Sequence, residues 1–334
     1  MDLLSWKYWE STTIAKYINQ RPGETRLGER VQYGDLDDLK KSQAKYVILL
    51  VPEDIGIRGN LGVGGAQSNY EAFLNAFLNI QSNAMLHGEE VFLGGYLNPE
   101  WSASHAKVKE VEQLRNLTAR LDAFLIPILE KIFKSGKIPV LIGGGHNNAY
   151  PLIKSAHAIN QSAINVINID AHADCRVLEG RHSGNSFSYG KEEGSLKNYG
   201  LMAWQESYNH PDIIKTLKAD DGNVLISFED LFLRKSISEN EALTALKSIQ
   251  EERKFGLELD VDTVEGALSS ALTPLGISAQ QAYHWVYTLA KHPQVLYFHL
   301  PEGVSQRNDD LKSDTMGKLL SFLVQAFIKG HSEI

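Results

Sequence analysis

The sequence of 334 residues contains one cysteine, Cys175, so no disulfide bond can form within the chain. It also lacks a run of about 18 consecutive apolar residues, which is what a membrane-spanning helix requires. Its first residues, Met1 to Thr12, include charged and aromatic side chains where a secretory signal needs an uninterrupted apolar segment. We therefore expect a cytoplasmic protein with no membrane partner.

An excess of positive charge is also missing, since 33 basic residues stand against 41 acidic ones and the net charge is −8. A surface of this sign offers no electrostatic attraction to a phosphate backbone, so we expect no nucleic-acid partner. Hydrophobic residues make up 43% of the chain and charged residues 22%, which excludes a disordered chain and permits a sizeable packed core.

Short apolar runs alternate along the chain with longer amphipathic stretches, a pattern typical of βαβ units and a mostly parallel sheet. The pattern predicts strands at Tyr46–Val51, Glu90–Gly94, Ile138–Ile142, Ile164–Ile169, Val224–Phe228, Phe255–Val261 and Val295–Leu300. It predicts helices at Gln67–Gln81, His105–Ser135, Ala149–Gln161, Asn240–Glu252, Ser278–Lys291 and Leu311–Lys329. Because the alternation crosses the middle of the chain without a linker, we expect one α/β domain over residues 1–334. Residues 1–45 would form a peripheral N-terminal segment, and Gly180–Asp221 would hold functional loops.

Asp170, His172 and Asp174 follow the predicted strand Ile164–Ile169 at alternate positions. Side chains of an extended chain alternate between two faces, so these three would project together. Two carboxylates and an imidazole that converge on one point favour a divalent cation, because buried carboxylates would otherwise repel each other. Taken alone, the motif also fits a solvated strand end or an N-cap cluster.

Two further strand ends carry groups of the same kind. Asp260 and Asp262 alternate at the end of Phe255–Val261, and His146 follows the glycines after Ile138–Ile142. Ligands of open α/β sheets bind beyond the carboxyl ends of the strands, so these groups can meet in one crevice. Each motif alone has a simpler structural explanation. Together, four aspartates and two histidines at three strand ends predict a site for two cations, and the oxygen-rich ligands favour Mn²⁺.

In these motifs the sequence resembles the arginase, or ureohydrolase, family. The family's pattern of Gly-Gly-x-His, Asp-x-His-x-Asp and Asp-x-Asp is matched at all six ligand positions. The resemblance implies a single three-layer domain with a doubly wound, mostly parallel sheet, two Mn²⁺ ions and a homo-oligomer. The metal ligands that it implies are His146, Asp170, His172, Asp174, Asp260 and Asp262.

Within the family, the sequence is most similar to the formimidoylglutamases. Gly145 stands where arginases usually have Asp before the histidine, and two segments resemble the formimidoylglutamase Asp-x-Arg and Ser-Gly-x-x-Phe: Asp174-Cys175-Arg176 and Ser183-Gly184-Asn185-Ser186-Phe187. The substrate-binding residues that follow from this resemblance are Arg176, Ser183, Asn185 and Glu302. Asp174 and Glu302 would be catalytic, and His182, beside Ser183, is a further candidate for proton transfer on its chemistry alone.

These features predict a hydrolase that cleaves the C–N bond of a formimidoyl or guanidino substrate derived from an amino acid. Arg176 favours N-formimidoyl-L-glutamate, hydrolysed to glutamate and formamide, because a guanidinium binds a carboxylate through two hydrogen bonds. A surface ion pair is the other role open to Arg176. The alternative functions are an arginase, agmatinase or guanidino-acid hydrolase that releases urea, and a family member that binds metal without catalysis. Whether Glu258, a carboxylate close to Asp260, takes part in the chemistry stays open.

Overall fold

A sheet of ten strands runs through the part of the chain that the computed structural model describes, residues 3–334. The strands are β1 Trp6–Lys7, β2 Gln32–Tyr33, β3 Tyr46–Leu50, β4 Val91–Leu97, β5 Ile138–Ile142, β6 Ile164–Ile169, β7 Leu196–Trp204, β8 Val224–Ser227, β9 Phe255–Leu259 and β10 Val295–Leu300. Their order across the sheet is β1-β4-β3-β5-β10-β9-β6-β7-β8, with β2 also paired to β4. Only the short β1 runs antiparallel to its neighbour among these described strands. The sheet is therefore the mostly parallel, open sheet that the sequence predicts.

Helices connect the strands. Over the same residues the α-helices are α1 Ser11–Ile14, α2 Ile55–Gly59, α3 Asn69–Phe77, α4 Pro99–Ser104, α5 Val111–Lys134, α6 Ala149–Asn160, α7 Ser186–Glu192, α8 Pro211–Lys218, α9 Glu239–Ala245, α10 Lys247–Glu252, α11 Ala279–Ala290 and α12 Met316–Ser332. None of these helices combines the length and the apolar composition that crossing a lipid bilayer demands.

The helices form two layers, one on each face of the sheet. In β3, Ile48 and Leu50 pack into a core shared with α3 and α9 to α12, whereas Val47 and Leu49 pack into a second core shared with α4 to α8. Every residue of β3 is buried because both faces are covered, which explains why the strand reads as continuously apolar. The three-layer, doubly wound α/β class is confirmed.

All seven predicted strands and all six predicted helical regions are present. Three strands have the predicted ends, Ile138–Ile142, Ile164–Ile169 and Val295–Leu300, and the other elements differ at one end or both. The helix predicted at His105–Ser135 began too early, because α4 and a turn precede Val111. The region Asn240–Glu252 divides into α9 and α10 at Leu246, and α12 starts only at Met316. Helix ends are set by capping and local turns, which hydrophobic periodicity does not encode.

The stretch Gly180–Asp221, expected to hold functional loops, contributes Ser183 and Tyr208 to the cavity described below, but it also contains β7, α7 and α8, which the sequence did not predict. β7 is almost entirely buried between β6 and β8. The sequence does not indicate that this segment is a buried strand, because Lys197 and Asn198 interrupt its apolar run near the start. The Asn198 main-chain N–H donates to the side chain of Asn165, which places these polar groups inside the sheet.

The first 45 residues contribute β1 and β2, and both pair with β4 near one end of the sheet. Trp9, Ile14 and Leu27 from this segment are buried in the core beside α3. The peripheral character of residues 1–45 stays a prediction.

Four neighbouring strands near the middle of the sheet, β5, β10, β9 and β6, position the candidate site. They are parallel, so their carboxyl ends meet along one edge. In open sheets of this class, that edge is where ligands bind.

Candidate metal centre

His146 reaches the edge of the sheet through the glycine turn that follows β5. Gly143 and Gly144 adopt left-handed φ angles of 89° and 70°, a region open to glycine at little cost. A Cβ atom at Gly144 would lie 2.5 Å from Oε1 of Glu53, the carboxylate that accepts from the Gly145 N–H at 2.9 Å. The turn therefore requires glycine, and it directs the fully buried His146 toward the neighbouring strands.

One cluster of ligand groups surrounds Nδ1 of His146. That nitrogen lies 2.9 Å from Oδ2 of Asp174, 3.0 Å from Oδ2 of Asp260 and 3.2 Å from Oδ2 of Asp170. Asp170 and Asp174 follow β6, whereas Asp260 follows β9. Three strand ends thus deliver one imidazole and three carboxylates to a single point, as the spacing of the motifs predicts.

A second cluster lies beside the first. Nδ1 of His172 is 3.0 Å from Oδ2 of Asp262 and 3.6 Å from Oδ1 of Asp170. Asp170 therefore offers one oxygen to each cluster, and Asp260 also groups with Asp262 and Glu302. Carboxylates shared between two ligand sets are the arrangement that holds two cations a few ångströms apart.

The electrostatics of the two clusters indicate missing positive charge. Burial together with Asp262 and Asp170 raises the pKa of Asp260 well above its usual value. Burial lowers the pKa of His146, but the carboxylates around it outweigh this effect and raise the pKa well above the ordinary value. For Asp170, burial alone would raise the pKa. The contacts with His146 and His172 outweigh burial and lower the pKa to about 2. Carboxylates brought this close in a buried site need a cation to stay ionised together.

Hydrogen bonding gives the same indication. Within the described residues, both ring nitrogens of His146 and Oδ1 of Asp262 are buried without a hydrogen-bond partner. Such unsatisfied groups are rare in folded proteins and usually mark a function or an ion. The donor set of two imidazoles and four carboxylates therefore fits a pair of divalent cations, with His146, Asp170, Asp174 and Asp260 around one and Asp170, His172, Asp260 and Asp262 around the other.

Two of the predicted site residues have strained backbones. Asp174 has a φ of 47° and Glu302 a φ of 66°, in the left-handed region that residues other than glycine seldom adopt. The fold holds Glu302 in this conformation, since its N–H donates to the Gly144 carbonyl at 2.9 Å. Strain of this kind persists where the surrounding structure fixes a side chain for function.

Glu302 faces the cavity beside the clusters, as expected for a group that binds substrate. Its Oε1 accepts from the His146 N–H at 3.3 Å, and its Oε2 accepts a short hydrogen bond from Ser270. Burial and the nearby Asp262 raise the pKa of Glu302 to about 7. Ser270 was not predicted, because nothing in its local sequence connects it with β10.

A cavity of about 610 Å³ opens above the clusters. Arg176 and Ser183 line it, as the sequence predicts, together with Asn60 and Tyr208. The Arg176 side chain is 56% exposed and lies 3.7 Å from Glu179, so it is free to turn toward a ligand. The volume suits a small molecule of amino-acid size.

His182 and Asn185 do not line this cavity. Nδ1 of His182 accepts from the Gly184 N–H at 3.2 Å, and burial beside Arg115 lowers the pKa of His182 to about 4. Asn185 donates to the Gly180 carbonyl at 2.7 Å and accepts from the His182 N–H at 3.1 Å. These contacts hold the loop that presents Ser183, and the roles of His182 in proton transfer and of Asn185 in substrate binding stay predictions.

Some residues near the clusters went unpredicted. Asn209 donates to the Ala171 carbonyl at 2.9 Å and accepts from the Ala173 N–H at 2.7 Å, which brackets His172. His299 hydrogen-bonds Glu258 directly behind the first cluster. The sequence offered one indication of the role of His299, namely that a histidine stands inside an otherwise apolar strand, three residues before Glu302.

Comparison with known proteins agrees with this geometry. The model of the arginase family matches residues 100–310, which contain both ligand clusters. The formimidoylglutamase of Staphylococcus haemolyticus is 25% identical over 215 residues, a match covering 64% of this chain and 63% of that protein. The chain thus spans about half to two thirds of the length of the first curated relatives that it matches.

Solved structures share the fold. The formimidoylglutamase of Bacillus subtilis superposes with a TM-score of 0.75 and 15% identity, and the match covers 94% of each chain. The Trypanosoma cruzi formiminoglutamase with Mn²⁺ superposes with a TM-score of 0.69 and 21% identity, covering 92% of this chain and 98% of that one. The ligand motifs of this chain converge at one edge of the sheet. Because the family model also matches well over half of the chain, the chain belongs to the arginase family.

Proposed function

We propose that this chain is a binuclear metal hydrolase that cleaves the C–N bond of N-formimidoyl-L-glutamate, giving glutamate and formamide. The observation that carries the proposal is the pair of ligand clusters that share Asp170 beneath a cavity lined by Arg176. The resident metal is Mn²⁺ in this proposal, which the oxygen-rich ligands and the manganese in the T. cruzi relative support.

Two divalent cations held by the six ligands would lower the pKa of a water molecule and so make hydroxide available at neutral pH. Asp174 lines the cavity, and its carboxylate accepts a hydrogen bond from the attacking water. The same carboxylate then passes the proton to the leaving nitrogen of glutamate. Water adds to the formimidoyl carbon, the bond to the glutamate nitrogen breaks, and formamide is the second product.

Glu302 and Arg176 bind opposite ends of the substrate. The Glu302 carboxylate, fixed by Ser270, holds the cationic formimidoyl nitrogen beside the ligand clusters. Arg176 and Ser183 bind a carboxylate of the glutamate part at the cavity wall. This division of charge favours an acidic substrate over agmatine, whose amine would meet Arg176.

The experiment is a product assay on the manganese-loaded chain with formimidoylglutamate, arginine, agmatine and a guanidino acid. Formamide released from formimidoylglutamate, without urea from the other substrates, is the expected result. Urea released from a guanidino substrate in place of formamide would contradict the proposed substrate. Two bound Mn²⁺ ions without turnover on any of the four would favour the non-catalytic alternative.

The resemblance to the family also supports a homo-oligomer in the cytoplasm. Light scattering on the purified chain, together with fractionation of cells that express it, tests both expectations. A monomer at micromolar concentration would contradict the first of them.

A further inference from the structure

A row of buried polar side chains crosses the sheet directly beneath the ligand clusters. His299 in β10 lies opposite Glu258 in β9, and Glu258 lies opposite Asn168 in β6. All three are fully buried in strands whose other residues are mostly apolar. Burying polar groups costs free energy unless they are paired, so such a row calls for a function beyond packing.

Glu258 is the centre of this row. Its Oε1 accepts from the Tyr297 hydroxyl at 2.8 Å, and its Oε2 accepts a short hydrogen bond from Nδ1 of His299. Tyr297 reaches Glu258 only because residue 256 is a glycine, since a Cβ at Gly256 would lie 2.0 Å from Cζ of Tyr297. The fold thus holds the Glu258 carboxylate in one orientation.

In that orientation Glu258 faces a metal ligand. Its Oε2 lies 3.5 Å from Nε2 of His146, a nitrogen that has no hydrogen-bond partner among the described residues. Nδ1 of the same ring points at the carboxylates of the first cluster. A carboxylate at Nε2 favours the tautomer that keeps a proton there and leaves the Nδ1 lone pair for a cation.

Asn168 contacts Asp170, the carboxylate shared by the two clusters, and holds its orientation. Its Nδ2 donates to Oδ2 of Asp170 and to the Tyr199 hydroxyl, each at 2.9 Å. The Tyr199 hydroxyl in turn donates to the Ala173 carbonyl at 3.1 Å, within the loop that carries His172 and Asp174. The row therefore contacts one ligand from β5 and one from β6.

We propose that this row is the positioning layer of the metal centre, in which Glu258 orients His146 and Asn168 orients Asp170. The inference rests on the proposed function in one respect, the presence of a resident metal pair. Glu258 and Asn168 are positioning residues here, because neither lines the cavity that would hold substrate. Partners of this kind behind a metal ligand typically account for 10- to 100-fold in metal affinity.

The test is calorimetric titration of the chelator-treated full chain with Mn²⁺, comparing wild type with Glu258→Gln and Asn168→Ala. Glu258→Gln keeps the volume but presents an amide in place of the carboxylate. We expect it to weaken one of the two Mn²⁺ sites by about 10- to 100-fold, with two ions still bound at saturation. Activity should return at high Mn²⁺ with an unchanged KM for substrate.

Tyr297→Phe is the matched control. It removes the hydrogen bond to Oε1 of Glu258 but leaves the short hydrogen bond from His299 to Oε2, the oxygen that faces His146, so its Mn²⁺ affinity should stay close to that of wild type. Thermal unfolding of each metal-free variant separates a loss of stability from a loss of metal affinity. If Glu258→Gln does not fold, Asn168→Ala decides the question through the weakened binding expected at its own ligand.

Several results would overturn the inference. One is unchanged Mn²⁺ affinity in Glu258→Gln, or in Asn168→Ala where the former does not fold. A second is a third Mn²⁺ bound by wild type and lost in Glu258→Gln, because Glu258 would then be a ligand itself. A wild type that binds no divalent cation would overturn the metal centre as well. Two bound Mn²⁺ without turnover would contradict the proposed hydrolysis but not the metal centre, and the titrations would still decide the role of Glu258.

Discussion

The phenol ring of Tyr208 stacks on the imidazole of His172, with ring centroids 5.4 Å apart and an angle of 25° between the planes. Asn209, the next residue, hydrogen-bonds the main chain on both sides of His172. Tyr208 and Asn209 therefore fix the ring and the backbone of this ligand together, from a turn that follows β7.

Asn209→Ala should weaken the cation cluster that contains His172 and leave the His146 cluster intact. Losing two hydrogen bonds frees the backbone on both sides of the ligand, and we expect about a 10- to 100-fold loss of affinity at one of two Mn²⁺ sites. Calorimetric titration measures this loss. Asn75→Ala removes an exposed asparagine side chain that donates to the Glu71 carbonyl within α3, and it should leave both affinities unchanged. Equal weakening of both sites would contradict a role confined to His172.

Asp174→Asn and Asp260→Asn should each abolish turnover and metal binding together. Each substitution removes a carboxylate that lies within 3.0 Å of Nδ1 of His146, where a neutral amide cannot balance a cation's charge. Metal content after dialysis and the rate of formamide release are the two measurements. A variant that keeps the full rate after losing its metal would refute the hydrolytic mechanism.

Arg176→Gln should raise the KM for formimidoylglutamate by about 10-fold or more and leave kcat within a few-fold. A hydrogen bond to a charged group contributes about 1.5–3 kcal/mol, and this one would bind the part of the substrate that does not react. Steady-state kinetics separate the two parameters. Arg234→Gln is a suitable control, because Arg234 pairs with Glu206 and Asp230 outside the cavity. An unchanged KM would leave Arg176 with only its contact to Glu179.

Glu302→Gln should stabilise the metal-free chain at pH 8 and change its stability little at pH 5. Burial and Asp262 raise the pKa of Glu302 from 4.5 to about 7, so the folded state binds this proton more tightly than the unfolded state. The wild type therefore loses stability as the pH rises from 4.5 through 7, whereas glutamine carries no charge at either pH. The expected difference at pH 8 is roughly 3 kcal/mol.

Urea unfolding in the presence of a chelator measures the effect of Glu302→Gln at both pH values. The exposed Glu265 provides the control, since Glu265→Gln should change the free energy of unfolding by less than about 0.5 kcal/mol. A Glu302→Gln variant that is no more stable than wild type at pH 8 would contradict the raised pKa.

The ligand clusters could be predicted from the sequence because two local rules suffice for them. Side chains of an extended chain alternate, which predicts that Asp170 groups with Asp174 and Asp260 with Asp262. The groups do converge, although Asp174 has a left-handed φ and Asp262 lies in a 3-10 turn beyond β9. Carboxyl ends of parallel strands share one edge, which brings these pairs to His146. In the structure these groups lie within a few ångströms of one another, as the two rules predict.

Contacts that depend on register could not be predicted in the same way. Glu258 meets His299 because β9 and β10 pair in one register, and that register is set by the packing of the whole sheet. The same limit applies to Asn185, whose motif resembles a substrate-binding segment although its amide is bound within its own loop. β7 was not predicted because polar residues near its start interrupt the apolar pattern of a strand. Its burial comes from the neighbouring strands, which the sequence does not reveal.

The last strand of the chain to be synthesised lies in the middle of the sheet, since β10 separates β5 from β9. Until residues 295–300 have left the ribosome, the strands before His146 and Asp260 have no common neighbour to hold them side by side. A nascent chain that ends before this point contains all six ligands, but it presents two open hydrogen-bonding edges and lacks the strand that holds β5 beside β9. The cluster around His146 therefore depends on β10, whereas the cluster around His172 lies at the ends of β6 and β9, which pair directly.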